Sequence, residues 1–218
     1  MIISHQHKFV YFDNPMAGAD ELRRHLAHAS DELVVEFQQR TPDHPFYHHM
    51  TPIEARRTFD MLNWNFSSYR RITCVRNPFV RLPAAYLRIR SEDPIWRFRQ
   101  RAGLGVPDFL HWLEETRPDG VGGGGKIGQR WRRYATWSMK SWAGDAISTV
   151  LRVEDLQTRA DDLFAELGVK RATHRIAESV YADASVLICD AAARLIEERY
   201  AEDLRNFGYH RPELTLAA

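Results

Sequence analysis

The sequence is poor in cysteine, in charge of one sign and in long apolar runs. Its two cysteines, Cys74 and Cys189, are far apart, so we expect two unpaired core thiols in a reducing compartment. The formal net charge is only +1, which gives no global field to attract nucleic acid. No run approaches the roughly 18 apolar residues of a membrane span, and the polar start is unlike a signal peptide. We therefore expect a cytoplasmic protein without a membrane span.

The rest of the composition is ordinary for a globular protein, with 44% apolar and 27% charged residues. Short apolar runs that predict buried strands alternate with segments of helical periodicity. The predicted strands are 8–12, 33–37, 72–75 and 149–153. The predicted helices are 17–29, 52–62, 79–90, 106–116, 129–142, 155–167 and 184–207. This alternation predicts an α/β fold in a single domain over residues 1–218, with a mostly parallel sheet covered by helices.

Histidine is more frequent than usual, and His44, His48 and His49 lie close together. His44 and His48 have the i, i+4 spacing of metal ligands on one helix face. Pro42 and Pro45 disrupt a regular helix there. A solvated or capping role is therefore favoured over a metal site.

Two segments have the form of a phosphate site. The β-branched run 72–75 ends at Arg76, at the carboxyl end of a predicted strand, where open α/β sheets bind their ligands. The strand 8–12 runs into a turn at Asn14 and Pro15 and then into a helix. Such a helix start presents free backbone N–H groups to an anion. The turn does not match G-x-x-x-x-G-K-[ST], which disfavours an ordinary ATPase or kinase.

Six segments carry a family resemblance. Residues 8–22 are similar to a strand followed by a P-K-x-G-x-[ST]-[STN] loop, and residues 49–56 are similar to H-A-S-x-x-E-x-R. Residues 75–86 are similar to V-R-N-P-[WFY]-x-R-L-x-S-x-Y. The other three segments are 64–69, 150–168 and 201–209. In this order and spacing they resemble the sulfotransferases of the carbohydrate type, and their small bacterial relatives, which use 3′-phosphoadenosine 5′-phosphosulfate (PAPS). The resemblance implies a P-loop-like three-layer fold, a nucleotide co-substrate and a hydroxyl-bearing acceptor.

The resemblance also implies roles for individual residues. The implied PAPS-binding residues are Pro15, Met16, Ala17, Gly18, Ala19 and Asp20 around the 5′-phosphosulfate, and Arg76 and Ala84 around the 3′-phosphate. His49 is the candidate general base, because the acceptor hydroxyl must lose a proton and histidine titrates near neutrality. A structural hydrogen bond is the alternative role for His49.

Several of these positions depart from the family pattern. Met16 stands in place of a lysine, Asp20 and Glu21 in place of hydroxyl residues, and Ala84 in place of a serine. A carboxylate about 4 Å from a phosphate adds repulsion on the order of 4 kcal/mol at an effective dielectric constant near 20. Without a ligand, Asp20 and Glu21 instead stabilise the helix start.

Three functions follow from this pattern. The first is sulfuryl transfer from PAPS to a hydroxyl of a carbohydrate or small molecule, with Lys126 or Arg130, beyond the glycine run 122–125, replacing the missing lysine. The second is a catalytically impaired binding or scaffold protein that no longer uses PAPS. The third is a phosphorylated ligand bridged by a divalent metal on the acidic residues around the first loop.

Overall fold

The computed structural model describes residues 1–118, 135–170 and 184–212. The chain divides into two compact units. The first contains Met1–Arg76 and Met139–Glu178, and the second contains Asn77–Ser138 and Ser179–Ala218. The expectation of a single domain over residues 1–218 stays a prediction.

The described elements follow one another as strands and helices. The strands are β1 Ile2–Ser4, β2 Phe9–Phe12, β3 Arg70–Val75 and β4 Thr149–Arg152. The α-helices are α1 Asp20–Ala27, α2 Pro52–Met61, α3 Pro78–Glu92, α4 Pro94–Arg101, α5 Phe109–Glu115, α6 Lys140–Ala143, α7 Leu156–Leu167, α8 Asp190–Arg199 and α9 Ala201–Phe207. No described helix is both long enough and apolar enough to cross a membrane.

The first unit is built on a four-stranded sheet in the order β1-β2-β3-β4. Strands β2, β3 and β4 are parallel, and β1 joins β2 antiparallel. The α/β class with a mostly parallel sheet is therefore confirmed. Strand β1 was absent from the predicted elements because it is only three residues long, and its pairing with β2 rather than its pattern defines it.

Helices cover the sheet of the first unit because successive strand side chains point to opposite faces. On one face, Leu22 of α1 and Leu163 of α7 belong to the same buried cluster as Tyr11 and Cys74. On the other face, the ring of Phe12 meets that of Phe66, and Phe66 in turn contacts Phe59 of α2. Complete burial raises the pKa of the Cys74 thiol to about 12.

The second unit is helical in its described part. Asn77 caps α3, since its side-chain oxygen accepts a hydrogen bond from the Phe79 N–H at 3.1 Å, and Pro78 occupies the first helical position. The ring of Tyr86 on α3 packs against Phe109 and Trp112 of α5. These aromatic contacts form the core between α3 and α5.

Three sequence predictions of secondary structure were wrong in part. Residues 33–37 form no strand, because the segment has only one bridge, from Val35 to Tyr47, and the chain enters a 3₁₀ turn at Phe37. Residues 184–207 are not one helix, since the backbone leaves helical geometry at Tyr200, between α8 and α9. The buried Tyr200 hydroxyl donates to the Thr136 carbonyl at 2.6 Å, a tertiary contact that holds the break in place.

The third discrepancy concerns the predicted helix 129–142. Residues 129–134 lie outside the described residues, residues 135–139 form turns and bends, and only α6 is helical. The cysteine prediction was correct for pairing, because both thiols are free, and wrong for burial, because Cys189 is exposed.

Candidate functional site

The loop between β2 and α1 turns sharply at the carboxyl edge of the sheet. Met16 and Gly18 both adopt the left-handed region, with φ of 63° and 81°, and the Ala17 N–H donates to the Asn14 carbonyl at 3.2 Å. Glycine adopts this conformation without steric cost, whereas methionine pays about 1–2 kcal/mol. The turn delays the helix start from the predicted residue 17 to Asp20.

The start of α1 has no side-chain cap. Ala19 occupies the N-cap position and cannot accept a hydrogen bond from the first-turn amides. Asp20 is exposed, and the Glu21 carboxylate is paired with Arg24 on the same helix. The backbone donors of the first turn therefore have no side-chain acceptor at the N-cap, and one of the two expected repulsive carboxylates is neutralised.

Arg76 lies just after the end of the strand next to this loop. The side-chain N–H of Asn14 donates to the Cys74 carbonyl at 3.1 Å and so ties the end of β2 to the end of β3. Arg76 follows directly after β3 and is 6% exposed, and its backbone N–H contacts the Met139 sulfur at 3.3 Å. The tertiary structure thus brings the predicted loop and Arg76 to adjacent strand ends.

His49 is held against the same loop. Its Nδ1 lies 3.0 Å from the Asp13 carbonyl oxygen and 3.9 Å from Asp13 Oδ2. Because a carbonyl oxygen only accepts, Nδ1 must carry a proton, and in the neutral ring Nε2 is then the accepting nitrogen. The His49 backbone is left-handed, with φ of 57°, and the side chain is 21% exposed. In this tautomer the second ring nitrogen of His49, Nε2, has a lone pair that can accept a proton.

Arg23 on α1 is a neighbour of this group that the sequence analysis missed. Its Nε lies 3.9 Å from Asp13 Oδ2, the same carboxylate oxygen that faces His49. A helical side chain leans toward the helix N-terminus, so a cation one turn after the N-cap residue Ala19 covers the helix start. The four-residue spacing from Ala19 to Arg23 was the sequence signal that could have identified Arg23 as a neighbour of the loop.

The comparison with known families agrees with the sequence motifs. The Sulfotransferase family matches the chain over residues 1–210. The chain belongs to this family. It is also similar to the crystal structure of a sulfotransferase from Alicyclobacillus acidocaldarius, at 13% identity over 94% of this chain and 96% of that chain, with a TM-score of 0.49. No match was found among curated proteins.

The remaining predicted residues of this sulfotransferase-family chain lie at different places. Ala84 is fully buried in α3 and belongs to the second unit. Lys126, Arg130 and the glycine run 122–125 lie outside the described residues. Within the part of the chain that is described, no three His, Cys, Asp or Glu side chains are placed to share a metal ion. The metal hypothesis therefore gains no support.

A separate cleft of about 420 Å³ lies at the amino ends of β2 and β3, the edge opposite the loop. It is lined by His5, Lys8, Trp64, Asn65, Ser68 and Tyr69. Its polar groups are engaged within the chain, since His5 contacts the Tyr69 hydroxyl at 2.7 Å and Glu32 at 2.8 Å. Ligands of parallel sheets bind at the carboxyl edge, so the loop edge remains the candidate site.

Proposed function

We propose that the protein transfers a sulfuryl group from PAPS to a hydroxyl of a carbohydrate or small molecule. The observation that carries the proposal is the position of His49, held at Nδ1 by Asp13 beside an uncapped helix start. A base at His49 beside a helix start whose first-turn N–H groups favour anions supports this reaction. Family membership supports the reaction class.

The residues at this edge fit an anionic nucleotide. The first-turn amides of α1 favour an anion through their free N–H groups and the helix dipole. The proposed PAPS contacts are the backbone of residues 15–20 for the 5′-phosphosulfate and the Arg76 guanidinium for the 3′-phosphate. Bound PAPS supplies the activated sulfuryl group, and the protein supplies orientation and proton transfer.

His49 performs the proton transfer in this proposal. Its Nε2 takes the proton from the acceptor hydroxyl, which makes the hydroxyl oxygen a better nucleophile. The hydrogen bond from Nδ1 to the Asp13 carbonyl fixes the ring and leaves Nε2 as the nitrogen that accepts the proton. In this proposal His49 acts on the acceptor hydroxyl, while the loop and Arg76 hold the sulfuryl donor PAPS.

A second candidate function is binding or scaffolding without PAPS. It is favoured by the side chains at the loop, because Met16 supplies no charge and the exposed Asp20 adds a negative one. Loss of one preorganised donor typically costs about 3–4 kcal/mol in a transition state. A cytoplasmic location remains a prediction under either function.

The deciding experiment is calorimetric titration of the full chain with 3′-phosphoadenosine 5′-phosphate (PAP), followed by a PAPS transfer assay on a panel of hydroxyl acceptors. We expect PAP to bind. The His49→Asn variant should bind PAP equally and lose about 10²- to 10⁴-fold in kcat, because asparagine tolerates the left-handed backbone but cannot take the proton.

Absence of PAP binding at millimolar concentration would overturn the proposal and favour the second function. In that case the triple change Met16→Lys, Asp20→Thr and Glu21→Ser distinguishes two situations. New PAP affinity in the triple variant means that only the loop side chains were lost. No affinity means that the pocket itself serves another purpose.

A further inference from the structure

Arg23 has a donor that the protein itself does not satisfy. Its Nε is buried and makes no hydrogen bond to any residue that the structure describes. The nearest acceptor is Asp13 Oδ2 at 3.9 Å, which is beyond hydrogen-bond distance. Buried donors are almost always paired, so an orphaned guanidinium nitrogen indicates a missing acceptor.

The neighbouring arginine provides a contrast. Arg24 is 65% exposed at its side chain and pairs with Glu21 along the surface of α1. Arg23 is 38% exposed and turns instead toward Asp13, at the start of the loop. Two adjacent arginines on one short helix thus have different environments, and only Arg23 faces the loop.

The order of the cationic residues in the sequence also indicates Arg23. Between Lys8 and Arg23 there is no lysine or arginine, so Arg23 is the first cationic side chain after β2. Asp13 Oδ2 lies 3.9 Å from both Arg23 Nε and His49 Nδ1. The Asp13 carboxylate therefore lies between Arg23 and His49. It attracts the Arg23 guanidinium toward the loop but is too far away to accept a hydrogen bond from the Nε–H.

We infer that Arg23 is a nucleotide-binding residue whose guanidinium contacts the anionic 5′ group held at the loop between β2 and α1. This inference rests on the proposed function, since the anion is the 5′ group of PAPS or PAP. The guanidinium is planar, always charged and suited to phosphate oxygens. Asp13 acts as the positioning residue that directs Arg23 toward the loop.

The test compares two ligands in calorimetric titrations of the full chain. PAP carries both phosphates, whereas adenosine 3′-phosphate lacks the 5′ group. The Arg23→Gln variant should weaken PAP binding about 10- to 100-fold and leave adenosine 3′-phosphate binding unchanged within about twofold. The control Arg159→Gln removes an exposed arginine of α7 and should change neither affinity by more than about twofold.

A rescue variant separates binding from structural damage. Met16→Lys in the Arg23→Gln background returns a cation to the loop and should recover at least about tenfold of the lost PAP affinity. Circular dichroism and thermal melting establish that each variant is folded. A structural role for Arg23 would instead weaken both ligands equally and resist rescue, which would overturn the inference.

The outcomes also separate this inference from the proposed function. If the native protein binds PAP and Arg23→Gln binds it equally well, the role of Arg23 is wrong while the proposed function stands. If the native protein binds no PAP, the proposed function and the role of Arg23 are both overturned. If Arg23→Gln does not fold, Arg23→Lys must keep PAP affinity within about fivefold, and a larger loss overturns the inference.

Discussion

At the residue scale, the charged side chains near the loop are arranged in pairs. Glu21 is paired with Arg24, and Asp13 lies between Arg23 and His49. The repulsion that the sequence predicted for a bound phosphate therefore applies to Asp20, whereas Glu21 is neutralised. Because an exposed ion pair contributes at most about 1 kcal/mol, the pairs matter for orientation rather than for stability.

Arg81, the second arginine of the segment 75–86, has a different environment. It is completely buried, and its guanidinium donates to the Trp137 carbonyl at 2.8 Å. Burial lowers the pKa of Arg81, and the nearby Asp203 carboxylate opposes this shift. Asp203 is also buried and accepts a hydrogen bond from the Ser138 hydroxyl at 2.6 Å. Arg81 thus belongs to a buried polar network of the second unit.

Removing the charge of Arg81 should destabilise the protein strongly. We expect Arg81→Met to lower the free energy of unfolding by about 3–5 kcal/mol, because Asp203 is left as a buried charge without its cation. Urea unfolding followed by circular dichroism measures the change. The double variant Arg81→Met, Asp203→Leu should cost less than the sum of the two single changes. Strict additivity would contradict the coupling of these two residues.

At the element scale, the start of α2 determines where His49 lies. Thr51 and Glu54 form a capping box, in which the Thr51 hydroxyl accepts the Glu54 N–H at 3.3 Å and the Glu54 carboxylate accepts the Thr51 N–H at 2.9 Å. Pro52 occupies the first helical position. Two residues before the cap, the left-handed backbone of His49 turns its ring toward Asp13.

Loss of this cap should lower the stability of the protein. We expect Thr51→Ala to lower the free energy of unfolding by about 1 kcal/mol, because the Glu54 N–H loses its acceptor. The control Thr158→Ala removes an exposed threonine of α7 and should change stability by less than about 0.5 kcal/mol. Urea unfolding compares the two. An equal effect of both variants would mean that the capping box contributes nothing.

At the scale of the whole molecule, we expect stability to depend on pH through His48. Its pKa is lowered from the ordinary 6.5, with burial as the largest cause. The amino terminus, His49 and Arg23 act in the same direction, and Glu36 opposes them. A histidine with a lowered pKa binds more protons in the unfolded chain than in the folded one. Its contribution to stability is therefore complete above pH 6.5 and is lost as pH falls through the folded pKa.

The lowered pKa of His48 leads to a measurable pH dependence of the free energy of unfolding. The free energy of unfolding should rise with pH across the interval just below 6.5 in the native protein. The His48→Gln variant should show a shallower rise there, and the exposed control His44→Gln should follow the native curve. Urea unfolding at a series of pH values makes the comparison. Identical slopes for the native protein and His48→Gln would show that His48 is not the titrating group.

The sequence alone determined those parts of the protein whose signal is local. The apolar runs predicted β2 and β3, because buried parallel strands are continuous in hydrophobicity. The β-branched and apolar run 149–153 predicted β4, although only Leu151 of that strand is buried. Pro52 predicted the start of α2, since proline is favoured at the first position of a helix. The ordered motifs determined the family, and they also indicated the loop, His49 and Arg76 as candidates.

Only the tertiary structure decided features that depend on residues distant in sequence. The segment 33–37 lost its expected strand, and the C-terminal helix broke at Tyr200, whose hydroxyl bonds to Thr136. The bond between His49 and Asp13 joins residues 36 apart, and the approach of Arg23 to Asp13 needed the observed turn at Met16. Composition and spacing do not encode such contacts, because they form only when packing brings separate segments together.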